Sequence, residues 1–214
     1  EVKNKEKMFN AIKKIIPNTL TCLNLMSGCV ATYFAFQGEA QMALLWIIEG
    51  AAFDFFDVMS ARLLKVSSPI GKELDSLADD VTFGVAPATI IFAQLSVMEY
   101  PAAIECLRPI LPFFAFVVAA FSALRLAKFN LDERQTTSFI GLPTPANALF
   151  WGSLLATHND WFEGSAYMLP VMLVMIVLSS WLLICELPMF ALKFKHWGWK
   201  GNEVKYVFLI TSIP

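Results

Sequence analysis

Four aspartates, an arginine and a glycine recur at fixed intervals in otherwise apolar sequence: Asp54, Asp57 and Arg62, then Gly71, Asp75 and Asp79. Helical residues three or four apart share a face, so Asp54 and Asp57 make one two-carboxylate claw, and Asp75 and Asp79 another. The linker between them is short and carries Ser67, Ser68 and Pro69, which makes the two helices antiparallel neighbours and lets the claws meet. Four carboxylates facing one another repel unless cations sit among them. With no histidine or cysteine at hand, two hard divalent ions with oxygen ligands, Mg²⁺ or Mn²⁺, fit better than zinc. Such a site beside an arginine suits a phosphate or diphosphate. The metals neutralise its oxygens and the leaving group, the guanidinium clamps another oxygen, and one carboxylate takes the proton of an attacking hydroxyl. The competing reading is structural, with the aspartates salt-bridged to Arg62, Lys65 and Lys72. Against those cations stand Asp54, Asp57, Glu73, Asp75, Asp79 and Asp80, an acidic surplus that favours chelation.

The elements that must position these groups are membrane helices. A content of 57% apolar, 16% charged and 14% aromatic residues, with a mean hydropathy of +0.59, excludes an ordinary soluble domain and describes a polytopic membrane protein. A hydrocarbon core of about 30 Å takes about 20 residues to cross. Six stretches qualify, near 17–37, 41–64, 74–97, 109–129, 143–158 and 166–190, so the fold expected is all-α. Ionisable groups at bilayer depth are costly and face a protein or watery interior, where they mark function. A further apolar run at 206–214 is too brief to span, and reads as the start of an incomplete crossing after a cytoplasmic segment, together 191–214. The net charge of -2 suggests no nucleic-acid partner. Cys22, Cys29, Cys106 and Cys185 lie singly, without metal or disulfide spacing, and read as small buried hydrophobes. No cleavable signal peptide is recognisable at the start.

Cytoplasmic loops carry the lysine and arginine excess. With the N-terminus inside, every cation of the 16 except Arg108 falls on that side. This predicts a multi-pass protein of the cytoplasmic (inner) membrane, with N-terminus and active site facing the cytoplasm. Residues 1–16 alternate lysines with Val2, Met8, Phe9, Ile12, Ile15 and Ile16 at helical spacing, which suits an amphipathic helix lying on anionic headgroups. A solvated basic leader that only sets topology is the alternative. His158 and His196 read as surface loop residues, most tryptophans as interfacial anchors, and Met168, Met172 and Met175 as helical filler.

The order Asp, two residues, Asp, then Ala61-Arg62, a spacer, Gly71, three residues, Asp75, three residues, Asp79 resembles the signature of the CDP-alcohol phosphotransferases, integral membrane enzymes of phospholipid synthesis. The resemblance implies that Asp54, Asp57, Asp75 and Asp79 hold two metal ions, with Asp79 doubling as general base. It also implies that Asn18, Thr21, Val58, Ala61, Arg62 and Gly71 line the CDP site. One position departs: the family has glycine directly after the second aspartate, where this chain has Val58. A mid-helix glycine costs about 1 kcal/mol relative to alanine and is kept for room, so valine is expected to crowd the nucleotide.

Three further stretches resemble the bacterial membrane-embedded phosphatidylserine synthases of that family: Pro17-Asn18-Thr19-Leu20-Thr21-Cys22-Leu23-Asn24, Ala123-Leu124-Arg125-Leu126-Ala127-Lys128-Phe129-Asn130, and the run from Ser138 through Gly141, Pro143 and Pro145. This implies a six-helix core over 17–190, with CDP-diacylglycerol and L-serine as substrates, phosphatidylserine and CMP as products, membrane lipids as surroundings, and a homodimer. An amino-acid acceptor has a carboxylate and an ammonium to be recognised; Arg125 and Lys128 offer cations, and Asn24 and Asn130 amides. Topogenic charge is the plain reading of Arg125 and Lys128, and a turn with a helix start is that of Gly141 to Pro145. Two rivals remain: a sister enzyme that uses glycerol phosphate, inositol phosphate or another alcohol, and a divalent-cation transporter.

Overall fold

The computed structural model describes residues 2–66, 68–131, 139–164 and 166–189. Its helices are α1 (Val2–Phe36), α2 (Ala40–Leu64), α3 (Pro69–Asp79), α4 (Ala86–Val97), α5 (Val117–Leu131), α6 (Thr144–Glu163) and α7 (Met168–Ile184). A π-helical turn, Asp80–Val85, joins α3 directly to α4, and two 3-10 segments, Ala102–Leu107 and Leu111–Phe116, lead into α5. Each of the six apolar stretches contains helix, the last of them over Met168–Ile184 only. Three continuous rods are long and apolar enough to cross a membrane: Ile15–Phe36, Pro69–Val97 and Leu111–Leu131. The leader at 2–14 is helical and continuous with the first rod. The segment 191–214 lies outside the described residues.

Local chemistry sets the ends that matter. Ser68 caps α3, its Oγ accepting from the Gly71 N–H at 2.9 Å, with Pro69 opening the first turn, where its missing N–H costs nothing. At the other side of the same linker α2 closes in a Schellman turn, with Lys65 N–H donating to Arg62 O at 3.2 Å and Val66 N–H to Ala61 O at 3.0 Å. Lys65 takes the left-handed conformation there, φ 52°, a position usually given to glycine.

α1 packs along α2 and also touches α3, the π turn and α4, so it is the strut against which both acidic helices are fixed. Small residues allow the close approach. A methyl on Gly28 would strike the backbone of Thr82, and one on Gly50 would lie 2.6 Å from Thr82 Cγ2. Thr82 donates to Asn24 O at 3.0 Å, stitching the π turn to α1. The apolar core runs from Phe83, Ile91 and Leu95 to Leu169, Met172 and Ile176.

The run that opens α6 proves structural. Gly141 sits at φ +76°, and a Cβ there would stand 2.8 Å from Leu183 O. Its N–H donates to Leu187 O at 3.0 Å, and Leu142 N–H to Leu182 O at 2.9 Å, beside a two-residue ladder between β1 (Phe139–Ile140) and β2 (Pro188–Met189). Several minor expectations are corrected. Trp151 is a core residue at 0% exposure that donates to Ser179 Oγ at 3.1 Å, because α6 turns it toward α7. His158 belongs to α6, at a kink, stacked on Trp161 with centroids 3.9 Å apart. Cys22, Cys29 and Cys106 are free and exposed, not buried, and Cys185 is free and half-buried. His196 lies outside the described residues.

Candidate active site

α2 and α3 are each held against α1, and this common strut brings both carboxylates of the first claw and one of the second together. Carboxylate oxygens of Asp54, Asp57 and Asp75 lie within 4.8 Å of one another, with Asp57 buried and the other two half-buried. Asp57 accepts a hydrogen bond from Thr21 Oγ1. Asp79, one turn beyond Asp75 and outside that trio, accepts from Asn24 Nδ2 at 3.0 Å. Two polar side chains of α1, one turn apart, therefore orient one carboxylate of each claw. Among the described residues no lysine or arginine forms an ion pair with these aspartates; the one ion pair is Arg108 with Glu105. The salt-bridge reading thus fails for the cluster. Converged carboxylates without protein cations fit hard divalent ions: Asp54, Asp57 and Asp75 are the residues that would hold them.

Beside the trio opens a cavity of about 480 Å³. Asn18, Thr21, Val58, Ala61, Arg62 and Gly71, the residues expected around the nucleotide, all line it, together with Asp57 and Asp75. Val58 is 37% exposed in its wall. Gly71 allows the wall to close, since a methyl there would stand 2.9 Å from Ser68 Oγ and 3.2 Å from Asn18 Oδ1. Sequence reasoning missed Lys65 and Lys72 as wall residues, having weighed them only as salt-bridge partners; their place beside the capped linker was the available signal. Three cations and two carboxylates of the acidic cluster thus share one cavity, the groups that a diphosphate held between metal and protein would require.

The four acceptor candidates separate. Asn24 is at Asp79. Arg125 is buried, at 7% exposure, and within electrostatic reach of Asp79. Asn130 spends its amide on Ser76 Oγ at 2.7 Å, while its carbonyl accepts from Lys72 Nζ at 2.9 Å, so it fastens the end of α5 to α3. Lys128 is exposed.

Comparison with known proteins agrees with this geometry. The profile of the CDP-alcohol phosphatidyltransferase family matches residues 14–192, and the chain belongs to that family, a family of transferases. A Bacillus subtilis relative is 37% identical over 144 residues, covering 67% of this chain and 77% of its own length. A Helicobacter pylori relative is 30% identical over 201 residues, 91% of this chain and 80% of its own. One from Mycobacterium leprae is 30% identical over 192 residues, 82% of this chain and 58% of its own. All three bear the name CDP-diacylglycerol--serine O-phosphatidyltransferase.

Proposed function

We propose that this chain transfers the phosphatidyl group of CDP-diacylglycerol to L-serine, releasing CMP, from a site open to the cytoplasmic face of the inner membrane, in a bundle of six crossings that works as a homodimer. The observation that carries the chemistry is the meeting of Asp54, Asp57 and Asp75 within 4.8 Å beside a cavity that Asp57 and Asp75 line together with Arg62, Lys65 and Lys72. The acceptor is supported by relatives named for serine transfer.

Bound by the three aspartates, Mg²⁺ or Mn²⁺ supplies charge neutralisation at the diphosphate and its leaving group. Arg62 clamps a diphosphate oxygen, and Asn18, Thr21 and Ala61 border the nucleotide. Asp79, held in place by Asn24, accepts the proton of the serine hydroxyl as the serine oxygen bonds to the lipid-bearing phosphorus. The bond from that phosphorus to the oxygen bridging to CMP breaks, and CMP leaves with the electron pair. Arg125, Lys128, Asn24 and Asn130 are the residues offered to the acceptor. Cations in the cavity wall oppose passage of a divalent ion, which argues against a transporter.

The test is CMP release by the purified protein from CDP-diacylglycerol in the presence of L-serine, glycerol phosphate or inositol phosphate. Serine-dependent release that EDTA abolishes and Mg²⁺ or Mn²⁺ restores is expected. Release that ignores serine, or that survives excess EDTA, overturns the proposal.

A further inference from the structure

A second polar cluster lies next to Asp79 but outside the nucleotide cavity, and the diphosphate chemistry makes no use of it. Asp80 opens the π turn directly after Asp79. Ser122 and Arg125 are three apart on α5 and share a face, and both are buried. A methyl on Gly84 would stand 2.7 Å from Asp80 Oδ1 and 3.1 Å from Ser122 Cβ, so the Asp80 and Ser122 side chains meet over a glycine that leaves them room, with Arg125 one turn further along α5. The Arg125 guanidinium lies 5.8 Å from the centroid of the Phe129 ring, and the residue is within electrostatic reach of Asp79. Asp80 Oδ1, Ser122 Oγ and Arg125 Nε are each buried without a hydrogen-bond partner. No ion pair involves Asp80 or Arg125 among the described residues. A carboxylate oxygen, a hydroxyl and a guanidinium nitrogen, each buried and unsatisfied, are expensive unless something completes them.

We propose that Asp80, Ser122 and Arg125 form the recognition site for a zwitterionic acceptor, with Asp80 taking its ammonium and Arg125 its carboxylate, so that its hydroxyl is presented to Asp79. This rests on the phosphatidyl-transfer reading and deepens it by naming what selects the alcohol. Ser122 supplies a hydroxyl that can donate or accept between the two charges. Asp80 also works by exclusion, since a polyol phosphate brings a dianion against a carboxylate that nothing neutralises, whereas an amino acid brings the matching ammonium.

The test uses the full chain in detergent with Mn²⁺ and saturating CDP-diacylglycerol. The acceptors are L-serine, 3-hydroxypropanoate (no ammonium), ethanolamine (no carboxylate) and glycerol 3-phosphate. Loss of a charge-assisted contact in Asp80→Asn is expected to raise KM for L-serine about tenfold or more. The preference for L-serine over 3-hydroxypropanoate shrinks by the same factor, while KM for CDP-diacylglycerol stays near the wild-type value, which also reports a folded protein. Arg125→Gln shrinks the preference over ethanolamine instead. An unchanged serine KM in Asp80→Asn, or equal losses for serine and 3-hydroxypropanoate, overturns the inference. Should that variant fail to fold, the wild type still decides: each truncated analogue is expected at least about tenfold below L-serine in kcat/KM, and equal use of all three overturns the site. A wild type that prefers glycerol 3-phosphate overturns the phosphatidylserine reading itself, a result distinct from a serine-using wild type indifferent to Asp80.

Discussion

At the scale of single residues, the division of labour among the four aspartates is the sharpest consequence of the geometry. Asp54, Asp57 and Asp75 converge, whereas Asp79 stands one turn on with Asn24 bonded to it. Asp79→Asn should therefore lower turnover by about 10²–10⁴-fold, the usual worth of a general base, with Mn²⁺-dependent binding of CDP-diacylglycerol kept. Asp75→Asn should lose both. Paired measurements of CMP release and equilibrium nucleotide binding check this, and near-normal turnover in Asp79→Asn would refute the assignment. Val58 carries a second prediction. Its side chain fills part of the cavity wall, so Val58→Gly should lower KM for CDP-diacylglycerol several-fold. The glycine costs about 1 kcal/mol of helix stability, which lowers Tm by about 2–4 °C in a chain of this size. An unaltered KM would show that the valine never crowded the ligand. The convergence of carboxylates was legible before any coordinates because three- and four-residue spacing puts each pair on one helix face; that Asp79 stands outside the trio was not. The cluster at Asp80, Ser122 and Arg125 was not legible: Asp80 is distant in sequence from the other two, and only the packing over Gly84 brings it to Ser122.

Among the elements, the π turn does what a regular helix could not. The sequence through 80–85 reads as plain continuation of an apolar span, since a π turn leaves no periodic trace. Its one-residue shift follows directly after Asp79 and sends Thr82 into the crevice between Gly28 on α1 and Gly50 on α2. Such turns are common at functional sites. The seat that Thr82 makes, with its bond to Asn24 O, keeps Asn24 beside Asp79 from the opposite helix. Gly28→Ala puts a methyl onto the Thr82 backbone, an overpacking expected to cost about 1–3 kcal/mol. Because Asn24 is displaced with it, kcat should fall more than KM for CDP-diacylglycerol rises. A variant with lowered Tm but wild-type kcat would separate the packing from the catalytic alignment. The all-helical character was foreseen from the six apolar stretches, though three rods among the described residues are long and apolar enough to cross a membrane. The short ladder between β1 and β2 was not, since a two-residue pairing set by backbone groups around Gly141 has no side-chain signal.

For the whole molecule, the proposed orientation, with the aspartate site toward the cytoplasm, draws its support from the placement of charge. Lys65 and Lys72 flank the α2–α3 linker, and the Lys72 Nζ bond to Asn130 O places the end of α5, with Arg125 and Lys128, at the same end of the bundle. At the other end Gln41 Nε2 donates to Ala156 O at 3.2 Å, joining the turn around Gly38 and Glu39 to the far part of α6. Arg108, the one cation assigned to an outer loop, pairs with Glu105 at 3.0 Å, so that loop offers little net positive charge to hold it inside. Large apolar side chains stay exposed along the shafts between, among them Met26, Leu45, Ile48, Val174 and Leu178, a surface suited to acyl chains rather than water. The orientation makes a prediction that needs no activity. Cys106 is exposed in the 3-10 segment at 102–107, and as the sole cysteine it should react with a membrane-impermeant maleimide added to intact cells. A cysteine placed at Lys65 in a cysteine-free background should react only after the cells are permeabilised, because the aspartate site and its cation-rich rim share the end proposed to face the cytoplasm. The reverse labelling pattern would invert the bundle and overturn the proposed cytoplasmic site.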